Sequence, residues 1–530
     1  MFERSSTNQQ NSIFDATRWM DQKLKRELDK SWAPIVFEYV YKKIDEEKFS
    51  VLYENGKGRP NTSVRKLITL ELIQHLVNVS DDELWQMYLF DYRVSYALGQ
   101  LALGEDPMSE RTRYNFRERL YLHTMKNPDD DLISLQFKEL LEEFNKVIKA
   151  DMSEQRIDTT MFMSNIKKSG RISLAYDVLI RASKKIPENQ QSETIKNILS
   201  PTFKRDVVSS VKTDEAQNKL TLLLKYCQEV LNILENLPDV NAVDEIRIIK
   251  RLLDEQGMVN DANEIEAKGN DQMEAKFMQS AFDQDATYRK KGERKQSGYV
   301  ASITETCSDT NDVQLITSYS VAPNITPDTD IIKESFDQVE SLGCKEMYGD
   351  GGFYSNDTVN EALRHGIEMK YTALTGKPSE GYLSVDDFIL SEDKSCVLNC
   401  PAGATPLFNR NSKKNVIAHF EKKSCFLCPM LDICPMTYLK NTNVVKFSKE
   451  SIAAALQRYL CTENRAENTS KRAAIEGTIS ALKRKGCAKL RVRGRIRCTV
   501  VFGLKVIAQN IQRLTNLING HYKAKNLQPT

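Results

Sequence analysis

The sequence predicts an α/β protein: a mixed sheet with helical cover, joined to an all-helical N-terminal domain and carrying a helical insertion and a small cysteine-rich insertion. Three observations carry that class. Residues 1–150 repeat apolar positions at helical spacing between short polar breaks. Strand-like alternation starts within 151–169 and returns only after residue 280, where it is mixed with helical period. Between the two strand regions, residues 170–280 are highly charged and show the strongest helical period in the chain.

The bulk numbers agree. A chain of 530 residues, at about 150 residues per domain, predicts three or four units and at least one large core. With 40% hydrophobic and 28% charged residues it reads as globular, and a net charge of +2 excludes a globally basic nucleic-acid binder. Any basic surface must be local. Eleven cysteines are an odd number, the chain opens "MFERSSTNQQ" without an apolar signal region, and no run of about 18 uncharged apolar residues occurs. These features predict a reducing, cytoplasmic setting without a membrane span. Clustered cysteines there are more often metal ligands than disulfides.

In residues 1–150 the helical segments are "SVRKLITLELIQHLVN", "SDDELWQMYLFDYRVSYALG" and "MSERTRYNFRERLYLH". Ser80 with Glu83 forms a capping signal, and Ser109 is expected to cap the third segment. That segment carries Arg111, Arg113, Arg117 and Arg119, which either enter a DNA groove or serve solubility. The strand "QRIDTTMFMSNI" (in 151–169) holds Asp158. After the 170–280 insertion, the region 281–374 gives strands at "SGYVASITETC", "DVQLITSYSVAP" and "CKEMYGD", with a helix at "DTDIIKESFDQVESLG". Asp350 ends the third of these strands. The cysteine-rich insertion spans 375–445, a helical region with a third acid spans 446–515, and 516–530 is a tail.

Within 446–515, the stretch "KRAAIEGTISALKRKG" places Arg472, Glu476, Ser480 and Lys483 along one side of a helix, beside an apolar stripe of Ile475, Ile479 and Leu482. Glu476 is either half of an ordinary ion pair or a metal ligand flanked by phosphate-binding cations. Two Asp on strands and a Glu on a later helix are a ligand set suited to Mg²⁺, which prefers a few carboxylates, several waters and phosphate oxygens. The glycines in "YGDGGFYSND" allow close approach to the strand end that holds Asp350.

Cys425 and Cys428 form a CxxC pair, Cys434 follows, and Cys400 lies upstream in "LNCPAG", with Cys396 a rival for its role. Four thiolates favour a closed structural Zn²⁺ site; free thiols and an iron–sulfur cluster are the alternatives. The run "KRKGCAKLRVRGRIR" contains eight Lys or Arg and no acid. It is read as a DNA-backbone contact through Lys483, Arg484, Lys485, Lys489, Arg491, Arg493, Arg495 and Arg497, against the alternative of a solvated basic loop.

The order of Asp158 in "RIDTT", Asp350 in "YGDGGFYS" and Glu476 in "RAAIEGTISALK" resembles the DDE transposases of bacterial insertion sequences. Arg472, Glu476 and Lys483 fit the signature of one large group: Tyr, two residues, Arg, three residues, Glu, six residues, Lys. The tyrosine position is Thr469, a departure. Further similar stretches are "GRPNTSVRKLITLELIQHLVNVSDDELWQMYLFDYRVSYALG", "FDQDATYRKKGERKQSGYVASI" and "CPAG" followed by "CFLCPMLDIC". The resemblance spans about 50–165 and 280–515. It implies a ribonuclease-H-like core, with Asp158, Asp350 and Glu476 catalytic and holding two Mg²⁺ ions, for which Mn²⁺ can substitute. Arg472 and Lys483 then position DNA. Implied partners are double-stranded DNA, as element ends and target, and further copies of the chain in a homodimer or higher oligomer, in a nucleoid-associated bacterial setting. Two other functions stay open: a catalytically inactive, transposase-derived DNA-binding protein, and a metal-dependent DNA nuclease without strand transfer.

Overall fold

The computed structural model describes residues 2–4, 15–54, 60–167, 169–209, 215–237, 241–374 and 381–520. The start of the cysteine-rich insertion, most of the chain's opening decapeptide and the last ten residues of the tail lie outside the described residues.

At the centre is a sheet of five strands: β1 (Glu154–Phe162), β2 (Arg294–Thr306), β3 (Ile316–Pro323), β4 (Glu346–Gly349) and β5 (Glu368–Tyr371). Their order is β3-β2-β1-β4-β5, and a further strand, Thr287–Lys291, forms a hairpin with the first part of β2. β2 runs antiparallel to both β1 and β3, whereas β1, β4 and β5 run parallel. β1 is therefore central, and its apolar residues serve both faces of the sheet. Ile157 packs with Met347, Phe336 and Met369, while Phe162 packs with Tyr299 and Phe502 on the other side.

The N-terminal region is helical, with α1 (Val64–Val77), α2 (Asp81–Phe90), α3 (Glu110–Lys126) and α4 (Leu132–Ile148). One face of the sheet is covered by α5 (Lys333–Ser341) and α6 (Asn356–Arg364). The chain then forms α7 (Arg465–Ala473), α8 (Ile475–Leu482) and the long α9 (Arg495–Ile518). α9 is buried nearly all round because it lies between α1, α4 and β3, so a single apolar core runs from the N-terminal helices through α9 to the sheet. The helices Arg171–Ser183, Ala216–Glu235 and Val243–Gln256 of the insertion bury a separate core of their own.

Three local expectations differ from the structure, and one region adds elements that the sequence reading did not assign. The helix expected through "SDDELWQMYLFDYRVSYALG" breaks at Asp91, whose carboxylate accepts from Arg93 N at 2.9 Å and so caps a second helix, Tyr92–Ala97. Ser109 makes no side-chain cap; its hydroxyl lies 3.1 Å from Thr112 Oγ1. Asp350 sits one residue beyond β4 and caps the turn Gly351–Phe353, accepting from Gly352 N at 2.8 Å. The cysteine-rich insertion, for which the sequence reading assigned no elements, contains a four-stranded antiparallel sheet of Phe408–Asn411, Asn415–Phe420, Asn443–Ser448 and Met436–Tyr438. The capping box of Ser80 and Glu83 forms as the sequence indicates.

Candidate active site

Two of the three acids meet because their strands are parallel neighbours. The β1–β4 register pairs Arg156 with Tyr348. Carried two residues further it brings Asp158, midway along β1, beside Asp350, just past the carboxyl end of β4, where neighbouring chains lie about 4.8 Å apart. Glu476 arrives from the opposite direction on α8, whose Ile475, Ile479 and Leu482 are buried and fix which face of the helix looks outward.

One side chain touches all three. Arg472 Nη2 lies 2.9 Å from Asp158 Oδ2 and 3.8 Å from Asp350 Oδ2, and Arg472 Nη1 lies 3.6 Å from Glu476 Oε1. The two aspartate oxygens are thus no further apart than the sum of their distances to one nitrogen. Asp158 is mostly buried, Asp350 about a third exposed and Glu476 the most open, so the cluster forms the edge of the protein rather than its interior. The site holds a cation among three carboxylates, and that is the chemistry a divalent metal needs. The acids are more spread than a closed metal site. Among the described residues, the group of His, Cys, Asp and Glu whose ligand atoms all fall within 4.8 Å of one another is Asp337, Glu340 and His365, on the surface.

A buried network that sequence reading missed holds α7 and α8 against the sheet. Arg156 and Glu305 face each other across β1 and β2. Arg156 Nε donates to Glu305 Oε1 at 2.8 Å, and Arg156 Nη1 donates to the Lys471 carbonyl at 2.9 Å. The other oxygen of Glu305 accepts from Thr478 Oγ1 at 2.7 Å and from Arg513 Nη2 at 2.8 Å. Thr478 is two residues from Glu476, so a fully buried carboxylate ties the sheet, the helix of the third acid and α9 together. The available signal was Arg156, on the same face of β1 as Asp158 at period two.

Gly351 also has a stricter role than loop freedom. A Cβ there would lie 2.0 Å from the Ala373 carbonyl oxygen, so the backbone after β5 passes where any side chain would stand.

In the cysteine-rich insertion, Cys400, Cys425, Cys428 and Cys434 line one cavity together with apolar residues such as Phe388 and Phe420. Two tight turns present them: Cys428 N donates to the Cys425 carbonyl at 3.2 Å, and Gly403 N donates to the Cys400 carbonyl at 2.8 Å, with Gly403 at φ +84°. Burial, and then the neighbouring thiols of Cys425, Cys428 and Cys400, push the Cys434 thiol up to about 11. Cys396 is not in that lining; its sulfur lies 3.6 Å from Ser395 Oγ.

Residues 399–515 match the family described as "Transposase DDE domain". That stretch of the chain is similar to transposase DDE domains. No curated protein and no solved structure matches the chain. The matched DDE stretch takes in the four clustered cysteines, Arg472, Glu476 and most of α9, while Asp158 and Asp350 precede it. The likeness to insertion-sequence DDE transposases rests on this match together with the motifs quoted above. Among the described residues, no helix is long and apolar enough to cross a membrane.

Within the DDE stretch the basic run divides. Arg484, Lys489, Arg491, Arg493 and Arg495 are exposed. Lys483, partly buried, caps α8. The Lys485 ammonium is buried without a hydrogen-bond partner, and burial, then Lys505, lowers it to about 8, so the structure does not present it to a ligand at the surface. Arg497 pairs with Glu118 at 3.1 Å and lies over the Tyr121 ring. In the N-terminal helices, Arg113 is fully buried and Arg117 nearly so, both bound to Glu71 and Asp81, so neither is free to enter a DNA groove. Thr469 is exposed on α7.

Proposed function

We propose that the protein is a DNA transposase that binds the ends of its mobile element and catalyses metal-dependent cleavage and strand transfer in the cytoplasm, as a homodimer or higher oligomer. The observation that carries this reading is the meeting of Asp158, Asp350 and Glu476 around the single guanidinium of Arg472. The strand order β3-β2-β1-β4-β5, with the first three antiparallel and the last three parallel, supports a ribonuclease-H-like core. The matched family supports the enzyme class.

In this reading the three carboxylates hold Mg²⁺, or Mn²⁺ in its place. Divalent ions held by Asp158, Asp350 and Glu476 would supply the charge that activates water or a 3′-hydroxyl and stabilises the leaving oxygen. The chain's own residues do the positioning. The sheet fixes Asp158 and Asp350, the Glu305 network fixes α8 and hence Glu476, and Arg472, Lys483 and the exposed cations of the run hold the DNA backbone. Cys400, Cys425, Cys428 and Cys434 hold a structural Zn²⁺ that closes the inserted sheet, since four thiolates leave no open coordination position.

The test is incubation of the full chain and Mg²⁺ with duplex DNA bearing the element's ends, scoring cleavage and joining separately. Both products are expected. Cleavage without joining would make it a nuclease, and binding without either product would make it a non-catalytic DNA-binding protein.

A further inference from the structure

A cavity of about 280 Å³ lies where α1 and α3 of the N-terminal region meet the basic run and α9. Its acids are already matched. Glu71 receives Arg113 Nε at 2.8 Å and Arg117 Nε at 2.7 Å, and Asp81 receives Arg117 Nη2 at 2.8 Å as well as Arg113. Glu83, an acid outside the lining that feels the charge of Arg491, is engaged in its own helix cap, accepting from Ser80 N at 2.7 Å.

Three lining cations are left over: Lys489, Arg491 and Lys505. None forms an ion pair among the described residues. Lys489 and Arg491 are exposed at the mouth, whereas Lys505 is 6% exposed. Its ammonium donates to the Lys485 carbonyl and lies 3.5 Å from where a Cβ on Gly486 would stand. His75 in the same wall brings no charge, because burial and then Lys505 lower its pKa well below the ordinary value. A buried ammonium facing a cavity whose two carboxylates are already paired with Arg113 and Arg117 is costly, and an anion entering that cavity relieves the cost.

We propose that this cavity receives one phosphodiester group of duplex DNA, with Lys505 at its floor and Lys489 and Arg491 at its mouth. Lys489 and Arg491 begin a series of exposed cations that continues along the chain through Arg493 to Arg495, which suits a group belonging to a chain of phosphates rather than an isolated anion. The proposal rests on DNA being the substrate, as proposed above. It adds Lys505, a residue inside an apolar helix, to the contact, and makes the N-terminal helices and the core grip the same backbone.

Replacing Lys505 by Met removes an unpaired buried charge, so thermal unfolding of the DNA-free variant should match or exceed that of the wild type. Its affinity for an end-bearing duplex should fall about tenfold, and the slope of log K against log salt should flatten by about 0.9, the value for one phosphate contact. Arg491→Gln, at an exposed position that cannot disturb the core, should flatten it similarly. Wild-type affinity and slope in both variants would overturn the pocket while leaving the proposed function standing. Failure of the wild type to bind any duplex would overturn both. A Lys505-dependent thermal shift with inorganic phosphate, together with an unchanged DNA slope, would assign the cavity to free phosphate and likewise overturn the proposal.

Discussion

Arg472 donates from Nη2 to Asp158 Oδ2 across 2.9 Å, and the same side chain reaches Asp350 and Glu476. Three carboxylates of like charge gathered at one edge repel each other unless a cation stands among them. The guanidinium and a divalent ion therefore compete for the same oxygens. Arg472→Gln should lower the metal-free protein's unfolding midpoint by several degrees, equivalent to about 1–2 kcal/mol for partly buried pairs. Mg²⁺ should raise the midpoint of this variant more than that of the wild type. Equal metal responses would mean that Arg472 and the ions do not share ligands.

Glu305 is fully buried between Arg156, Thr478 and Arg513. Glu305→Gln leaves two guanidinium groups without their counter-charge, and breaking a buried pair in this way costs about 3–5 kcal/mol. Denaturant unfolding measures that loss. Thr478→Val is the milder probe: it removes two hydrogen bonds beside Glu476, one to Glu305 and one from Arg513, should cost about 1–2 kcal/mol, and should lower the cleavage rate while leaving DNA affinity unchanged.

The cysteine cluster predicts about one Zn²⁺ per chain by elemental analysis, lost on Cys434→Ser and retained on Cys396→Ser. A folded wild-type protein without zinc would exclude the site, and zinc loss on Cys396→Ser would show that Cys396 holds the metal as well.

Burial works to raise the Asp81 carboxyl, but Arg117 and Arg113 outweigh it and hold it at about 2, below the ordinary 3.8. A depressed carboxylate contributes stability that is complete above its unfolded value and is lost as pH falls through its folded value. The stability difference between wild type and Asp81→Asn should therefore be constant above about pH 4 and shrink toward pH 2. A difference independent of pH across that range would show that the ion pairs with α3 do not form.

How legible these features were depended on whether their pattern was local. Asp158 and Asp350 stood out because short apolar alternation places the first on a strand and the second at a strand end, and Glu476 because an apolar stripe fixes its helix face. Arg113 was misread as a surface cation although it falls three residues before Phe116 and seven before Leu120, on the stripe that is buried. The Arg156–Glu305 pairing depends on register between strands far apart in sequence, which no local pattern encodes. The strands Phe408–Asn411 and Met436–Tyr438 were missed because they are short and largely exposed, so their alternation is weak.

The central claim is that Asp158, Asp350 and Glu476 act as one metal-holding set, and single-turnover cleavage of end-bearing DNA by Asp158→Asn, Asp350→Asn and Glu476→Gln tests it most directly. Each substitution removes a charge from the ions' ligands and should slow cleavage and joining by at least about a hundredfold, with DNA affinity within about threefold of wild type because the phosphate contacts lie elsewhere. Glu476 is the discriminating position, since it is the most exposed of the three and pairs with Arg472 in the manner of an ordinary helix surface. Wild-type cleavage by Glu476→Gln would contradict the account and leave that pair as a surface salt bridge.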